Sequence, residues 1–160
     1  MDIRTWKNGD DPAIWEIIEP VLRAGETYAL PRDWTRAQAL AYWREPPHQV
    51  FVAERDGRIL GTYFLTPNQK GGGAHIANCG FMTRQGETGK GIARSMALHA
   101  LDQARSSGFL AMQFNLVIAT NLRAIGLWES LGFKTLARLP EVFAHPHLGY
   151  VDALVMYQRL

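Results

Sequence analysis

Between Thr83 and Arg105 the chain reads TRQGETGKGIARSMALHALDQAR, and the strand-like run HIANCGFM precedes it. A glycine-punctuated turn that passes straight from a strand into a helix leaves few architectures open. Gly89 and Gly91 remove Cβ atoms where the backbone must turn and where a ligand must come close. The amides of the first helical turn, from about Gly91 to Arg94, have no partners within the helix, and the helix dipole adds partial positive charge at that end. The segment is therefore an expected anion site, and a phosphate-bearing ligand is the first expectation.

Two familiar phosphate loops do not fit. The nucleotide loop G-x-x-x-x-G-K-[ST], counted back from Gly89-Lys90, meets Arg84 where its first glycine belongs, and Gly91 replaces the hydroxyl residue that would hold magnesium. The dinucleotide pattern G-x-G-x-x-G fails at Arg94, and the preceding strand is not the first of a βαβ series. What remains is Thr88-Gly89-Lys90-Gly91-Ile92-Ala93. It resembles the R/Q-x-x-G-x-G/A pyrophosphate loop of the GNAT superfamily of acyl-CoA N-acyltransferases, with Thr88 in the usual Arg or Gln position.

A second segment strengthens the resemblance. Asn121 to Phe133, NLRAIGLWESLGF, is similar to the family's N-x-x-A-x-x-L-Y-x-x-L-G-F block at Asn121, Ala124, Leu127, Leu131, Gly132 and Phe133, and follows the loop at the family's usual distance. Ala124, Leu127, Trp128 and Leu131 repeat at helical spacing, Thr120 or Asn121 can cap the start, and Gly132 can take the left-handed stop before a strand opens at Phe133. Two ordered motifs are far more specific than one glycine loop.

Composition bounds the rest. A chain of 160 residues with 47% hydrophobic content suits one domain, 1–160, with a sizeable core, and no apolar run approaches a membrane span. The polar, acidic start MDIRTWKNGDD is unlike a secretory signal, and a lone Cys79 cannot form an internal disulfide, so a cytoplasmic, reduced setting is expected. A net charge of +2 without clustered basic and aromatic residues argues against a nucleic-acid partner. Residues 81–160 carry 8 Lys+Arg against 5 Asp+Glu, so the basic half is the one with the phosphate loop.

The expected elements form one continuous unit. Ile3–Trp6 reads as an edge strand, and a helix opens at Asp11-Pro12 and runs towards Arg23, with Pro20 expected to kink or shorten it. Thr35 caps a second helix through Trp43. Strands follow over Gln49–Arg55 and Arg58–Thr66, joined by the hairpin signal Asp56-Gly57, and then over Ala74–Thr83. The loop helix precedes a strand over Leu110–Ile118; the helix of the second motif precedes strands over Phe133–Leu139 and Tyr150–Arg159. This β-α-α-β-β-β-α-β-α-β-β order is similar to the GNAT order. The resemblance implies a mixed α/β fold whose mostly antiparallel sheet is flanked by helices and splays between the fourth and fifth strands.

It also implies direct acetyl transfer from acetyl-CoA to an amine in that cleft. Backbone groups of Phe81, Met82 and Thr83 would pair with the pantetheine arm as an added strand would. Amides from Thr88 through Gly89, Lys90, Gly91 and Ile92 to Ala93 would hold the pyrophosphate. Lys90 and Arg94 either screen phosphate charge or are ordinary solvated residues, and Asn121 matches the family asparagine that contacts the cofactor. Two departures bear on chemistry. Trp128 stands where many members have the tyrosine that protonates the departing thiolate, and an indole N–H is no acid in that sense. The run Ala74 to Thr83 contains no Asp or Glu to serve as a base. The departing thiolate can take its proton from water, and a water chain or an amine that arrives neutral serves the other transfer.

Asn78 and Asn115 interrupt apolar segments on the two splayed strands, and each is either a structural bridge or a ligand contact. The runs TPNQKGGGAHIANCGF, FNLVIATN and HPHLGYVD are similar to a GNAT subgroup that includes fungal L-azetidine-2-carboxylate and proline-analogue acetyltransferases. There, asparagines of this region handle a small amino-acid substrate. On that basis Asn78 and Asn115 are the expected catalytic and substrate residues, with Glu26 and Tyr28 closing over the substrate from their loop. His75, His145 and His147 lack carboxylate or cysteine spacing to complete a metal set, so no metal is expected. Cys79 reads as a small buried hydrophobe. The expected partner is a small-molecule amine, not nucleic acid or membrane, and a homodimer is compatible with this. A protein N-terminal or lysine acetyltransferase, and a non-catalytic acyl-CoA sensor, remain as alternatives.

Overall fold

The computed structural model describes residues 1–160. Its elements are β1 (Asp2–Thr5), α1 (Asp11–Ala24), α2 (Arg36–Trp43), β2 (Gln49–Arg55), β3 (Arg58–Pro67), β4 (Ile76–Thr83), α3 (Ile92–Ser106), β5 (Ala111–Ile118), α4 (Leu122–Ser130), β6 (Lys134–His145) and β7 (Gly149–Arg159). The seven strands form one sheet in the order β1-β2-β3-β4-β5-β7-β6, antiparallel except where β4 meets β5. No helix is long and apolar enough to cross a membrane.

Local chemistry accounts for the boundaries. Asp56 and Gly57 both take positive φ (52° and 73°), as the twisted two-residue turn between β2 and β3 requires. Thr35 and Gln38 cap α2 reciprocally, the Gln38 N–H donating to Thr35 Oγ1 at 3.2 Å and the Thr35 N–H to Gln38 Oε1 at 2.9 Å. Pro20 does not shorten α1, which runs on to the left-handed Gly25. Ile14, Ile17, Ile18 and Leu22 are all at most 1% exposed, and this burial on both sides of Pro20 outweighs the one hydrogen bond the proline removes.

Helices cover both faces of the sheet. Helices α1 and α2 pack on one face around Trp43, Phe64 and Met82; α3 and α4 pack on the other around Met96, Phe114, Trp128 and Met156. Buried Thr62 links the layers without an orphan group, donating to the Phe51 carbonyl at 2.9 Å and accepting from Trp43 Nε1 at 3.1 Å.

Two strands depart from the sequence expectation. Gly71–Gly73 form a 3-10 turn ending at Ala74, so β4 begins at Ile76. β6 runs six residues beyond Leu139, to His145, and pairs with β7 across a register shift between Leu139 and Phe143. Pro140 and the exposed residues Leu136 and Val142 hide this strand from any alternation of buried and exposed positions. Asp152 on β7 closes the bulge, accepting from the Glu141 N–H at 3.0 Å and from Arg138 Nε at 2.6 Å.

Candidate active site

The site begins where β4 and β5 stop pairing. Only Ile76↔Ala111 and Ala77↔Met112 are in register. Beyond Phe114, β5 carries one extra residue against β7, so Asn115 and Leu116 bulge and the strand turns away from β4. The backbone of β4 from Asn78 to Thr83 thus faces a gap. That gap opens into a cavity of about 450 Å³ lined by β4, β5, α4, the end of α1 and the α1–α2 loop.

At one end lies the glycine turn. The first backbone bond of α3 runs from the Ser95 N–H to the Gly91 carbonyl at 2.9 Å, so the amides of Ile92, Ala93 and Arg94 have no backbone acceptor. Gly89 and Gly91 have φ of 82° and 79°, and a Cβ on either would meet no protein atom within 4 Å. Left-handed backbone and open space together explain both glycines, and the free amides fit a pyrophosphate. Thr88 and Ala93 line the cavity, whereas the Ile92 side chain is buried in the core. Lys90 Nζ is held by Glu87 at 2.9 Å, and Arg94 donates to Ser130 Oγ at 3.0 Å. Arg123, which sequence reasoning passed over, is exposed at the lining of the same cavity, and its guanidinium makes no hydrogen bond to the protein. Its place in the first turn of the N-x-x-A helix was the available signal.

Phe81, Met82 and Thr83 on β4 all line the cavity. Trp128 is 8% exposed within an aromatic cluster, its ring centroid 5.2 Å from Phe81 and 4.7 Å from Phe114. Asn121 lines the cavity and caps α4, its Oδ1 accepting from the Ala124 N–H at 3.2 Å.

Across the gap the structure brings Asn78 and Asn115 to the same cavity, with each amide partly engaged. Asn78 Oδ1 accepts from the Cys79 N–H at 2.8 Å, leaving Nδ2 without a protein partner. Asn115 Nδ2 donates to Asn68 Oδ1 at 2.7 Å and its Oδ1 accepts from Gln113 Nε2 at 2.9 Å. Asn68 and Gln113 are polar neighbours that sequence reasoning did not single out. Tyr28 lines the cavity, but Glu26 is exposed on the same loop and does not reach it. Burial pushes the Cys79 thiol and the Tyr28 phenol well above their ordinary values, so both are neutral near pH 7. No Asp, Glu, His or Lys lines the cavity.

Residues 12–133 match the model of the acetyltransferase (GNAT) family. The chain belongs to the GNAT family. It is 39% identical over 151 residues to N-acetyltransferase aca1 of Schizosaccharomyces pombe, covering 84% of this chain and 72% of that protein. The structure of a GCN5-related N-acetyltransferase from Kribbella flavida superposes with a TM-score of 0.94 at 38% identity, covering 99% of this chain and 97% of that one. The fold of yncA, a putative acetyltransferase from Salmonella typhimurium solved with its cofactor acetyl-CoA, is shared at a TM-score of 0.87 and 24% identity, over 100% of this chain and 94% of that one. This GNAT protein is an acetyl-CoA-dependent N-acyltransferase, and acetyl-CoA is its co-substrate.

Proposed function

We propose that this GNAT enzyme acetylates the amine of a small molecule, an amino acid or amino-acid analogue. One observation carries the proposal: of the side chains lining the cleft, only that of Arg123 is charged at neutral pH, and no carboxylate is among them. A polyamine or aminoglycoside acceptor needs acidic walls, whereas an acceptor with its own carboxylate is repelled by them. Neutral amides suit the second kind. In this reading the Asn78 Nδ2, which has no protein partner, and the carboxamide of Asn115, both at the cavity, orient the amine and carboxylate of such an acceptor and polarise the thioester carbonyl. The likeness of the β3–β4, β5 and β6–β7 segments to the fungal proline-analogue acetyltransferases points the same way.

Acetyl-CoA supplies the acetyl group as an activated thioester. The α3 amides and the gap-facing backbone of β4 hold it, and the aromatic cluster around Trp128 flanks the gap. With no side-chain base in the cleft, the acceptor nitrogen loses its proton to water or arrives neutral. The open cavity favours an enzyme over a blocked sensor. The test is a screen of free amino acids, polyamines and N-terminal peptides with acetyl-CoA while thiol release is followed. Turnover with amino acids and none with polyamines is expected; the reverse order would overturn the proposal.

A further inference from the structure

The α1–α2 loop reaches into the gap through one side chain. The Phe81 N–H donates to Tyr28 Oη at 2.7 Å, and the Tyr28 hydroxyl donates to the Phe81 carbonyl at 2.8 Å. Both backbone groups of one β4 residue are thus held by a single hydroxyl, as a partner strand would hold them. These are the only hydrogen bonds between residues 26–31 and the sheet. The base of the loop is fastened separately. Arg32 donates to the Arg23 carbonyl through Nε at 3.0 Å and Nη2 at 2.7 Å, and Arg23 donates to the carbonyls of Arg32 and Trp34. Gly25, with φ 65°, joins this pinned base to α1. The loop is therefore a flap with a fixed hinge and a tip held by Tyr28.

We infer that Tyr28 is a latch on β4 that acetyl-CoA releases, because the pantetheine arm and the Tyr28 hydroxyl need the same N–H and C=O of Phe81. The inference rests on the reading that the arm adds along β4 as an extra strand. One residue cannot satisfy both partners, since its single N–H bonds well to only one acceptor at a time. When the arm docks, Tyr28 leaves Phe81 and the tip loses its only hydrogen bonds to the sheet.

Thr27, Tyr28, Ala29 and Leu30 line the same cavity as Asn78 and Asn115, so displacing Tyr28 moves part of the lining that an acceptor meets. Tyr28 is accordingly a positioning residue. Its side chain stays anchored on the helical side by an edge contact to Trp43, with ring centroids 6.4 Å apart.

Tyr28→Phe keeps the ring and removes the hydroxyl. Calorimetry should show it binding acetyl-CoA about tenfold more tightly than wild type, the worth of about one net hydrogen bond lost from the free state. Stopped-flow binding should saturate with acetyl-CoA concentration in wild type, where release limits the rate, and stay linear in the variant. Unchanged or weaker binding at an unchanged melting temperature would overturn the inference. So, independently of any variant, would a wild-type complex with acetyl-CoA in which Tyr28 Oη still holds both Phe81 groups. Gly91→Asp separates the two layers: if it leaves acetyl-CoA affinity intact, the phosphate-loop reading fails whatever Tyr28→Phe shows.

Discussion

Substitution of Gly91 separates backbone strain from ligand charge. At φ 79° an alanine is expected to cost about 1–2 kcal/mol of stability, because its Cβ crowds the backbone in the left-handed region. Aspartate tolerates that region better, and its carboxylate at the α3 N-terminus gains about 0.3–1 kcal/mol from the helix dipole. Gly91→Asp should therefore melt no lower than Gly91→Ala. Binding should rank the other way. A pair of like charges 4 Å apart costs about 1 kcal/mol in water and about 4 kcal/mol at an effective dielectric of 20. The exposed turn lies near the watery end, so two pyrophosphate charges amount to about 2–3 kcal/mol, roughly a 30- to 150-fold loss of affinity. Calorimetry with CoA at low and high salt measures it, and the gap between the variants should narrow as salt rises. Equal affinities for the Ala and Asp variants would mean that no anion lies over this turn, and the reasoning would fail.

Trp128→Phe should keep most of the turnover and remove no ionisation from the pH–rate profile, since the indole packs among Phe81, Phe114 and Phe133 and is no acid. A collapse of kcat with normal CoA affinity would show a chemical role for the indole. Asn78→Ala and Asn115→Ala should each lower kcat/KM for an amino-acid acceptor by about 2–4 kcal/mol of transition-state stabilisation while CoA affinity holds. Asn115→Ala should also lower the melting temperature, because it leaves Asn68 and Gln113 without their partner. Loss of thermal stability in both variants with catalysis intact would make both asparagines bridges only.

Much of this architecture was legible because the informative residues act locally. The hairpin at Asp56-Gly57, the Thr35 cap and the left-handed stop at Gly132 each need only their neighbours to define them. Gly89 and Gly91 marked the turn before α3 for the same reason. What stayed hidden depends on distant partners. Continuity of α1 through Pro20 comes from burial against the sheet, and the long β6 arm exists through its ladder with β7. The engagement of Asn115 by Asn68 spans 47 positions in the chain, and Tyr28 meets Phe81 across 53. No periodicity encodes such contacts. Arg123 was missed because a cation in a first helical turn ordinarily reads as a solvated residue.

The remaining question is where the acceptor's proton goes, and the cleft narrows the answer. Near neutral pH the Cys79 thiol and the Tyr28 and Tyr42 phenols are all held protonated by burial, and the Trp128 indole N–H is no acid. No carboxylate or imidazole lines the cavity. No side chain lining the cavity thus offers an ionisation that can govern kcat/KM between about pH 6 and 9. The limb that rises with pH must then belong to the substrate amine, because only its neutral form has a lone pair for the thioester carbonyl. Two acceptors whose amines differ by about two pKa units should give profiles displaced by the same interval. Measuring kcat/KM against pH for an α-amino acid and for an analogue with a less basic nitrogen decides the matter. A midpoint that stays fixed while the acceptor changes would belong to the protein, and the absence of a side-chain base would then be the step in this reasoning that is wrong.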